Sequence, residues 1–502
     1  MKICLIRPAI LVPKRNVTAM FTPPLGLAYV AGSLKRAGHD VTLIDAVGES
    51  LDTRHEWRND CYIYGLNPEQ TIARVTEGTQ VIGVAAGFSF EWPYTRDLID
   101  ALRARFPKAM LICGGEHFSA MPEYSLENSG LDMGVMGEGE ETALELMAEL
   151  AKPTPDLSQV LGLAFKDKDG VIRVNARRPR TRELDDLPWP AWELMPIENY
   201  LERGFGFGVN RGRSMPVMAS RGCPYQCTFC SNPQMWTTRW TVRDQDKLLD
   251  ELQHYQQHFG AQNFDFYDLT AIVKKDWIVS FCSKIKQRGM TFTWQLPSGT
   301  RSEAIDEEVA GLLYETGCRN LSYSPESGSP ATLEKIKKKI HPPAMLASIR
   351  GCVRQGLNVK TNIMLGFPGE TLKEVLESYR FIAGMAWNGA HDLSVWAFSP
   401  YPGSELFEQL KASGALTFDD DYFDSLRSYA DASRTKSYSA NFTNERLKTL
   451  RFIGTALFYA VGWLRRPARP FHIVWNVLHG KQESRGEMAL ANMLRRGKLK
   501  TG

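Results

Sequence analysis

Runs of aliphatic residues without polar alternation recur along the first 150 residues: KICLIRP (2–8), DVTLIDA (40–46), QVIGVAAGF (80–88), AMLICGG (109–115) and MGVMGEGE (133–140). Strands that are apolar on both sides are those covered on both faces, as in a parallel sheet. Residues 25–37 (LGLAYVAGSLKRA) carry helical spacing and stop at Gly38, and residues 97–105 and 142–150 also read as helices. The alternation predicts an α/β domain over 1–150, a doubly wound, Rossmann-like parallel sheet of about five strands.

Residues 151–212 read as a linker. It holds a small hairpin, GLAFKDKDGVIRV, turning at Asp169-Gly170, and then Pro188, Pro190 and Pro196, which favour an extended course. From 213 to 405 the alternation resumes. Strand patterns begin at SMPVMAS, NFDFYDL, TFTWQLP, CRNLSYSPESGS, NVKTNIMLGFPGE and DLSVWAFSPYPGS, with helical stretches such as Lys274–Gln287 and Glu303–Glu315 between them. Six such units predict a partial (β/α)6 barrel, whose chemistry belongs at the carboxyl ends of its strands. Residues 406–502 form a basic helical C-terminal region.

Composition fits a soluble globular chain: 502 residues, 43% hydrophobic, 23% charged. The net charge of +3 hides an asymmetry, because from Glu445 onward 12 Lys and Arg face 3 Glu. That tail also carries FIGTALFYAVGWL and FHIVWNVLHG, with Trp463 and Trp475 as amphipathic anchors. Two readings stand: a peripheral contact with an anionic membrane surface, or a helical subdomain packed on the barrel. The basic residues are not interleaved with a nucleic-acid reader, so no nucleic-acid partner is expected. No apolar run reaches the roughly 18 residues that cross a bilayer, and no signal peptide is read. Nine cysteines fit a reducing compartment, so the expected location is cytoplasmic.

Three of those cysteines change the picture. Cys223, Cys227 and Cys230 lie in SRGCPYQCTFCSNP with C-x3-C-x2-C spacing. Zinc would want a fourth ligand, but the next Cys is 282 and the nearest His is 254. Three thiolates on a short loop suit a 4Fe–4S cluster with one iron left open for a ligand. Cys4, Cys61, Cys113, Cys282, Cys318 and Cys352 stand in apolar or helical contexts and read as small core residues.

The motif, with Phe229 before its third cysteine, resembles the signature of the radical S-adenosylmethionine enzymes. The resemblance implies that S-adenosylmethionine chelates the open iron and is cleaved reductively, with electrons from an external donor of flavodoxin or ferredoxin type. It further implies that Glu326, in SPESGS, holds the ribose hydroxyls. Arg301, in SGTRSE, is the candidate for the carboxylate, and Asp268 for the amino group. Gly366 and Pro368, in GFPGE, resemble the turn under the adenine, and Pro400-Tyr401-Pro402-Gly403 the turn closing the sixth strand.

The first domain is similar to the cobalamin-binding domain of one radical S-adenosylmethionine subfamily. The similar positions are Pro24 and Gly26 in PPLGL, and Gly87, Ser89, Gly114, Gly115, His117, Gly137, Glu138, Gly139 and Glu140 at the strand ends. No D-x-H-x-x-G loop occurs, so no cobalt-ligating His is expected from it, and His117 is expected to meet the corrin edge or its propionamides. The nearest branch contains the anaerobic magnesium-protoporphyrin monomethyl ester cyclase and lipid, hopanoid and tetrapyrrole methylases. It implies methyl transfer to an unactivated carbon of a small-molecule substrate, consuming two S-adenosylmethionine per turnover. The alternative is an oxidative cyclase or rearrangement without methyl transfer. A non-enzymatic iron–sulfur or cobalamin sensor is a third reading, which Glu326 argues against. No catalytic acid or base is assigned. Trp236, Trp240, Trp294 and Trp396 point to an apolar or ring-containing substrate, or to core filling.

Overall fold

The computed structural model describes residues 1–15, 21–58, 60–429, 431–495 and 500–501. Five parallel strands open it: β1 (Lys2–Arg7), β2 (Asp40–Asp45), β3 (Val81–Ala85), β4 (Met110–Gly114) and β5 (Met133–Val135). Their spatial order is β2-β1-β3-β4-β5. This is the flavodoxin-type doubly wound order, with its switch point between β1 and β3. Ile3 and Leu5 of β1 face the core under α1 (Leu25–Arg36) and α3 (Gly139–Leu150). Cys4 and Ile6 face the opposite core, under α2 (Trp92–Arg105). Coverage on both sides is why these strands lack polar alternation. Helix α2 starts five residues before the expected stretch, with a proline in its first turn.

The hairpin expected in the linker belongs to this sheet. Strand β6 (Leu163–Lys166) runs antiparallel to β5 and to β7 (Ile172–Val174), so the sheet continues past residue 150. A second, antiparallel set, Ile10–Pro13, Thr53–Trp57 and Cys61–Tyr64, was not expected. Its middle strand is Cys61–Tyr64, and the flanking TRHEW is too polar to show a strand pattern.

The barrel strands are β8 (Ser214–Val217), β9 (Asn263–Phe266), β10 (Thr293–Thr300), β11 (Cys318–Glu326), β12 (Asn358–Leu365) and β13 (Asp392–Ala397). They pair in parallel in chain order and leave β8 and β13 as edges, a partial barrel as expected. Helices α4 (Gln245–Phe259), α5 (Lys275–Gln287), α6 (Glu307–Glu315), α7 (Pro342–Arg354) and α8 (Leu372–Trp387) cover it. Asp244, Asp306 and Thr371 accept backbone hydrogen bonds as N-caps of α4, α6 and α8. The register slips near the strand tops. Leu296 pairs with Leu321 but Gly299 with Ser322, and Tyr323 pairs with Thr361 but Glu326 with Ile363. Such bulges re-aim side chains at the rim of a barrel.

Three contacts join sheet and barrel. Leu25, Ala28 and Tyr29 of α1 belong to the barrel's own core cluster. Phe407, Tyr422, Phe423 and Leu426, from beyond the barrel, complete the core of the first sheet beside α2, and Arg96 pairs with Asp420 at 3.0 Å. Between them Arg221, just after β8, donates to Glu138 at 3.1 Å and to Glu140 at 2.5 Å, with Arg180 3.1 Å from the other Glu138 oxygen.

In the tail, α9 (Asn444–Arg465) packs on α8 and β13, burying Leu447, Leu450 and Phe458. Arg451 donates to the Val395 carbonyl at 3.0 Å. That is the packed reading. Helix α10 (Arg469–Leu478) instead leaves Phe471 77%, Trp475 61% and Leu478 73% exposed. Helix α11 (Arg485–Arg495) follows. Among the described residues no helix is long and apolar enough to cross a membrane.

Burial raises the Glu138 carboxyl, but Arg221, Arg180 and the Thr181 amide outweigh it and hold the carboxyl below its ordinary range. A depressed carboxyl stabilises the fold above its unfolded pKa of about 4.3, and that contribution is lost as pH falls through the folded value. Arg221→Met strands the buried Glu140 carboxylate, leaves Glu138 to Arg180 and Thr181, and is expected to cost about 3–5 kcal/mol at pH 7. Denaturant unfolding checks this, and the deficit against the parent should shrink below pH 4.

Candidate functional site

The cysteine loop leaves the top of β8. A left-handed Gly222 (φ 87°) starts it, where a Cβ would collide with the Arg239 carbonyl. The loop is tied inward: Cys230 N–H donates to the Cys227 carbonyl at 3.1 Å, and the Asn232 amide to the Cys223 carbonyl at 3.2 Å. Thr270 donates to Cys223 Sγ at 3.3 Å. All three thiols line a cleft of about 830 Å³ over the barrel mouth. Burial raises Cys227 and pushes Cys230 up to about 12, so these are neutral thiols unless a cation offsets the burial. Among the described residues no three Cys, His, Asp or Glu side chains form a site for a single metal ion. Three thiols around one roomy cleft have the chemistry of a polynuclear cluster cradle instead.

Glu326 reaches the same cleft from the bulged end of β11. Its backbone is left-handed, φ 68°, a strained state for a non-glycine residue of the kind concentrated at functional sites. The carboxyl is buried, which raises its pKa against the pull of Lys338, 3.4 Å away. Arg301 lines the cleft with its guanidinium 4.0 Å above the Tyr225 ring, hydrogen-bonded to Glu303 and the Lys339 carbonyl. Phe229 lines it too and packs on Phe367 at 5.8 Å.

Two expected contacts are corrected. Asp268 is not in the cleft: its buried carboxylate accepts from Ser220 Oγ at 2.5 Å and Ala219 N–H at 3.1 Å, which braces the approach to the cysteine loop. Gly366 and Pro368 stand off the cleft as well. Gly366 N–H donates to Glu370 at 2.5 Å, Pro368 lines a separate small cavity, and Phe367 of the turn packs on Phe229 of the cysteine loop. Tyr225 and Lys338 went unnoticed in sequence because Lys338 lies in KIKKKI, a run that reads as a solvated face.

A second cavity, about 1930 Å³, lies between the carboxyl ends of the first sheet and the barrel. Pro24, Gly26, Gly87, Gly114, Gly115 and Gly137 to Glu140 line it from the sheet; Met218, Arg221, Trp236, Tyr267 and Leu269 line it from the barrel. Gly26, Gly87 and Gly137 have open space where a Cβ would project. A floor stripped of side chains fits a broad, flat macrocycle. Glu116 also lines the cavity and accepts from Ser231 Oγ at 2.7 Å, tying it to the residue after Cys230.

His117 and Ser89 lie behind this wall, not in it. His117 is fully buried, stacked on Trp92 at 4.5 Å and hydrogen-bonded to Ser89 Oγ at 3.0 Å. Burial lowers its pKa to about 3, as for a neutral core imidazole. None of the described residues lining the cavity is a histidine. Of the four tryptophans, Trp294 is core, Trp240 donates to the Thr270 carbonyl at 3.1 Å, Trp236 lines the large cavity, and Trp396 donates to Asn362 at 3.4 Å. Leu269, 47% exposed, lines both cavities, so the two meet there.

Comparison with known proteins agrees with this division. Residues 15–147 match the B12 binding domain, and residues 217–382 the radical SAM superfamily. The chain is 30% identical over 423 residues to an uncharacterized methyltransferase of Pyrococcus horikoshii, covering 83% of this chain and 84% of that one. It is 28% identical over 396 residues to the anaerobic magnesium-protoporphyrin IX monomethyl ester cyclase of Cereibacter sphaeroides, covering 78% and 60%. The fold matches that of OxsB, a cobalamin-dependent S-adenosylmethionine radical enzyme solved with aqua-cobalamin and S-adenosylmethionine, with TM-score 0.69, 14% identity, and 99% and 79% coverage. The thiol cleft, the glycine-floored cavity and these matches together place the chain among the cobalamin-dependent radical S-adenosylmethionine enzymes, whose cofactors are a 4Fe–4S cluster, S-adenosylmethionine and cobalamin.

Proposed function

We propose that the enzyme is a C-methyltransferase acting on an unactivated carbon of a hydrophobic or ring-containing small molecule. The observation that carries this is Leu269, a single side chain that lines both the cysteine cleft and the macrocycle cavity and so sets the two side by side. One substrate there faces both. When bound, the cluster and S-adenosylmethionine supply a hydrogen-abstracting radical, and cobalamin supplies the methyl group.

The chain's own residues position and shield. Cys223, Cys227 and Cys230 hold three irons. Glu326 accepts from the ribose hydroxyls, helped by its left-handed backbone, and Arg301 takes the carboxylate. Phe229 and Tyr225 wall the cleft against water. Gly26, Gly87, Gly114, Gly115 and Gly137 admit the corrin, and the buried Arg221–Glu138–Glu140 network sets its edge. Reduction comes from a flavodoxin- or ferredoxin-type donor. The exposed face of α10 supports a peripheral membrane contact by an otherwise cytoplasmic enzyme. The 28% identity to a cyclase favours one second reading, oxidative cyclisation or rearrangement without methyl transfer.

Cell extract and S-adenosylmethionine labelled in its methyl group separate the two. Methyl transfer gives labelled product, 5′-deoxyadenosine and S-adenosylhomocysteine; 5′-deoxyadenosine without S-adenosylhomocysteine supports the cyclase reading. Cys227→Ala is expected to abolish the cubane absorption of anaerobically reconstituted protein. Glu326→Gln is expected to keep that absorption and raise KM for S-adenosylmethionine at least tenfold, as for one charge-assisted hydrogen bond of about 1.5–3 kcal/mol.

A further inference from the structure

Beneath the cysteine cleft the barrel lumen carries a lysine, Lys360, whose register partner Asp392 makes no ion pair with it among the described residues. Alternate residues of each strand face inward. On β12, Val359, Ile363 and Leu365 join the outer core, which leaves Lys360 and Asn362 for the lumen. On β11, Leu321 and Tyr323 join that core and leave Ser322 and Ser324. The Asn362 amide donates to Ser322 Oγ at 3.2 Å and to Ser324 Oγ at 3.0 Å, and accepts from Trp396 Nε1 at 3.4 Å. Ser324 also lines the cysteine cleft, while Ser322 and Lys360 line a separate, narrow cavity below it. Asn362 therefore stands between the two spaces.

The floor of the lumen is closed by the chain itself. Gly208 N–H donates to Asp265 at 2.8 Å, and Val209 exchanges two hydrogen bonds with Gln295. The nearest acid, Asp392, is committed elsewhere: it accepts from Arg485 N–H at 2.7 Å and Gly486 N–H at 3.1 Å, at the start of α11. Arg485 itself reaches the Phe207 carbonyl and adds positive charge beside the lumen. Among the described residues Lys360 Nζ has no hydrogen bond or ion pair, and its neighbour is the Trp396 ring at 5.8 Å. Burial, reinforced by Arg485 and opposed by Asp392, lowers Lys360 to about 7. An anion beside it would reverse that.

We propose that Lys360 anchors an anionic oxygen group of the substrate, a carboxylate or a phosphoryl group. The Ser322 and Ser324 hydroxyls, which accept from Asn362, supply further donors, and Trp396 packs against the body of the molecule. The assignment rests on the radical site proposed above, because the anchored substrate extends upward from the lumen into the cysteine cleft. It narrows the substrate class to molecules with an acid at one end and the reacting carbon toward Leu269.

Calorimetric titration of the cluster- and cobalamin-loaded enzyme with benzoate, phenylphosphonate and benzyl alcohol tests it. One of the two anions is expected to bind at least tenfold more tightly than the alcohol, and which one binds identifies the acid. Lys360→Met should erase that preference and Lys360→Arg should keep part of it. Equal binding of anions and alcohol by the parent protein overturns the anchor, as does an anion preference that survives in Lys360→Met. If Lys360→Met fails to take up cobalamin, the parent comparison and Lys360→Gln decide. Reductive cleavage of S-adenosylmethionine to 5′-deoxyadenosine, measured on the same preparation, separates the two claims. Cleavage without anion preference overturns the anchor alone; anion preference without cleavage overturns the radical reading and the ligand's status as substrate.

Discussion

One guanidinium fixes the geometry on which the rest depends. Arg221 sits between the strand that launches the cysteine loop and the GEGE turn of the first sheet, bound to Glu138 and Glu140. Its position one residue before Gly222 means that it aligns the thiol loop and the macrocycle floor in a single step. Charges removed from water this thoroughly contribute little net stability, but they tolerate little displacement. The separation between the two cavities is therefore set by hydrogen-bond geometry, which is far less compliant than an apolar seam.

Much of this was legible in the sequence, for identifiable reasons. Parallel strands buried on both faces announce themselves as unbroken aliphatic runs, so β1 to β5 and the barrel strands fall close to where the pattern puts them. The cysteine spacing and SPESGS mark the cleft because their chemistry is local. What failed was side-chain direction. His117 follows a Gly-Gly turn, as a ligand-facing residue should, yet it points back into the core against Trp92. Asp268 lies just past a strand end and turns toward Ser220, away from the cleft. Spacing alone does not say which way a residue beyond a strand end will face.

Long-range partnerships were equally invisible. Arg221 was passed over as ordinary flanking sequence, because its partners lie more than 80 positions earlier in the chain. Lys338 was hidden inside a run of lysines, and Lys360 inside a strand that also carries Asn358, Thr361 and Asn362, where one more polar residue draws no attention. In both cases the informative quantity is what the ammonium finds in space: an ion pair with Glu326 for one, and for the other an Asp392 already held by backbone amides. The glycines of the first sheet were noticed collectively. Their role becomes concrete only where open space stands in the place of a Cβ.

The return of Phe407, Tyr422, Phe423 and Leu426 onto the first sheet has a consequence for how the protein is made. The amino-terminal half leaves the ribosome with one side of its core unfinished, and the missing pieces are translated only after the entire barrel. At about 5–20 residues per second that interval is on the order of tens of seconds. During it a greasy, incomplete surface is on show in the nascent chain, so the molecule matures as one topologically interlaced body, and scissors placed between its two sequence families would cut through a shared interior.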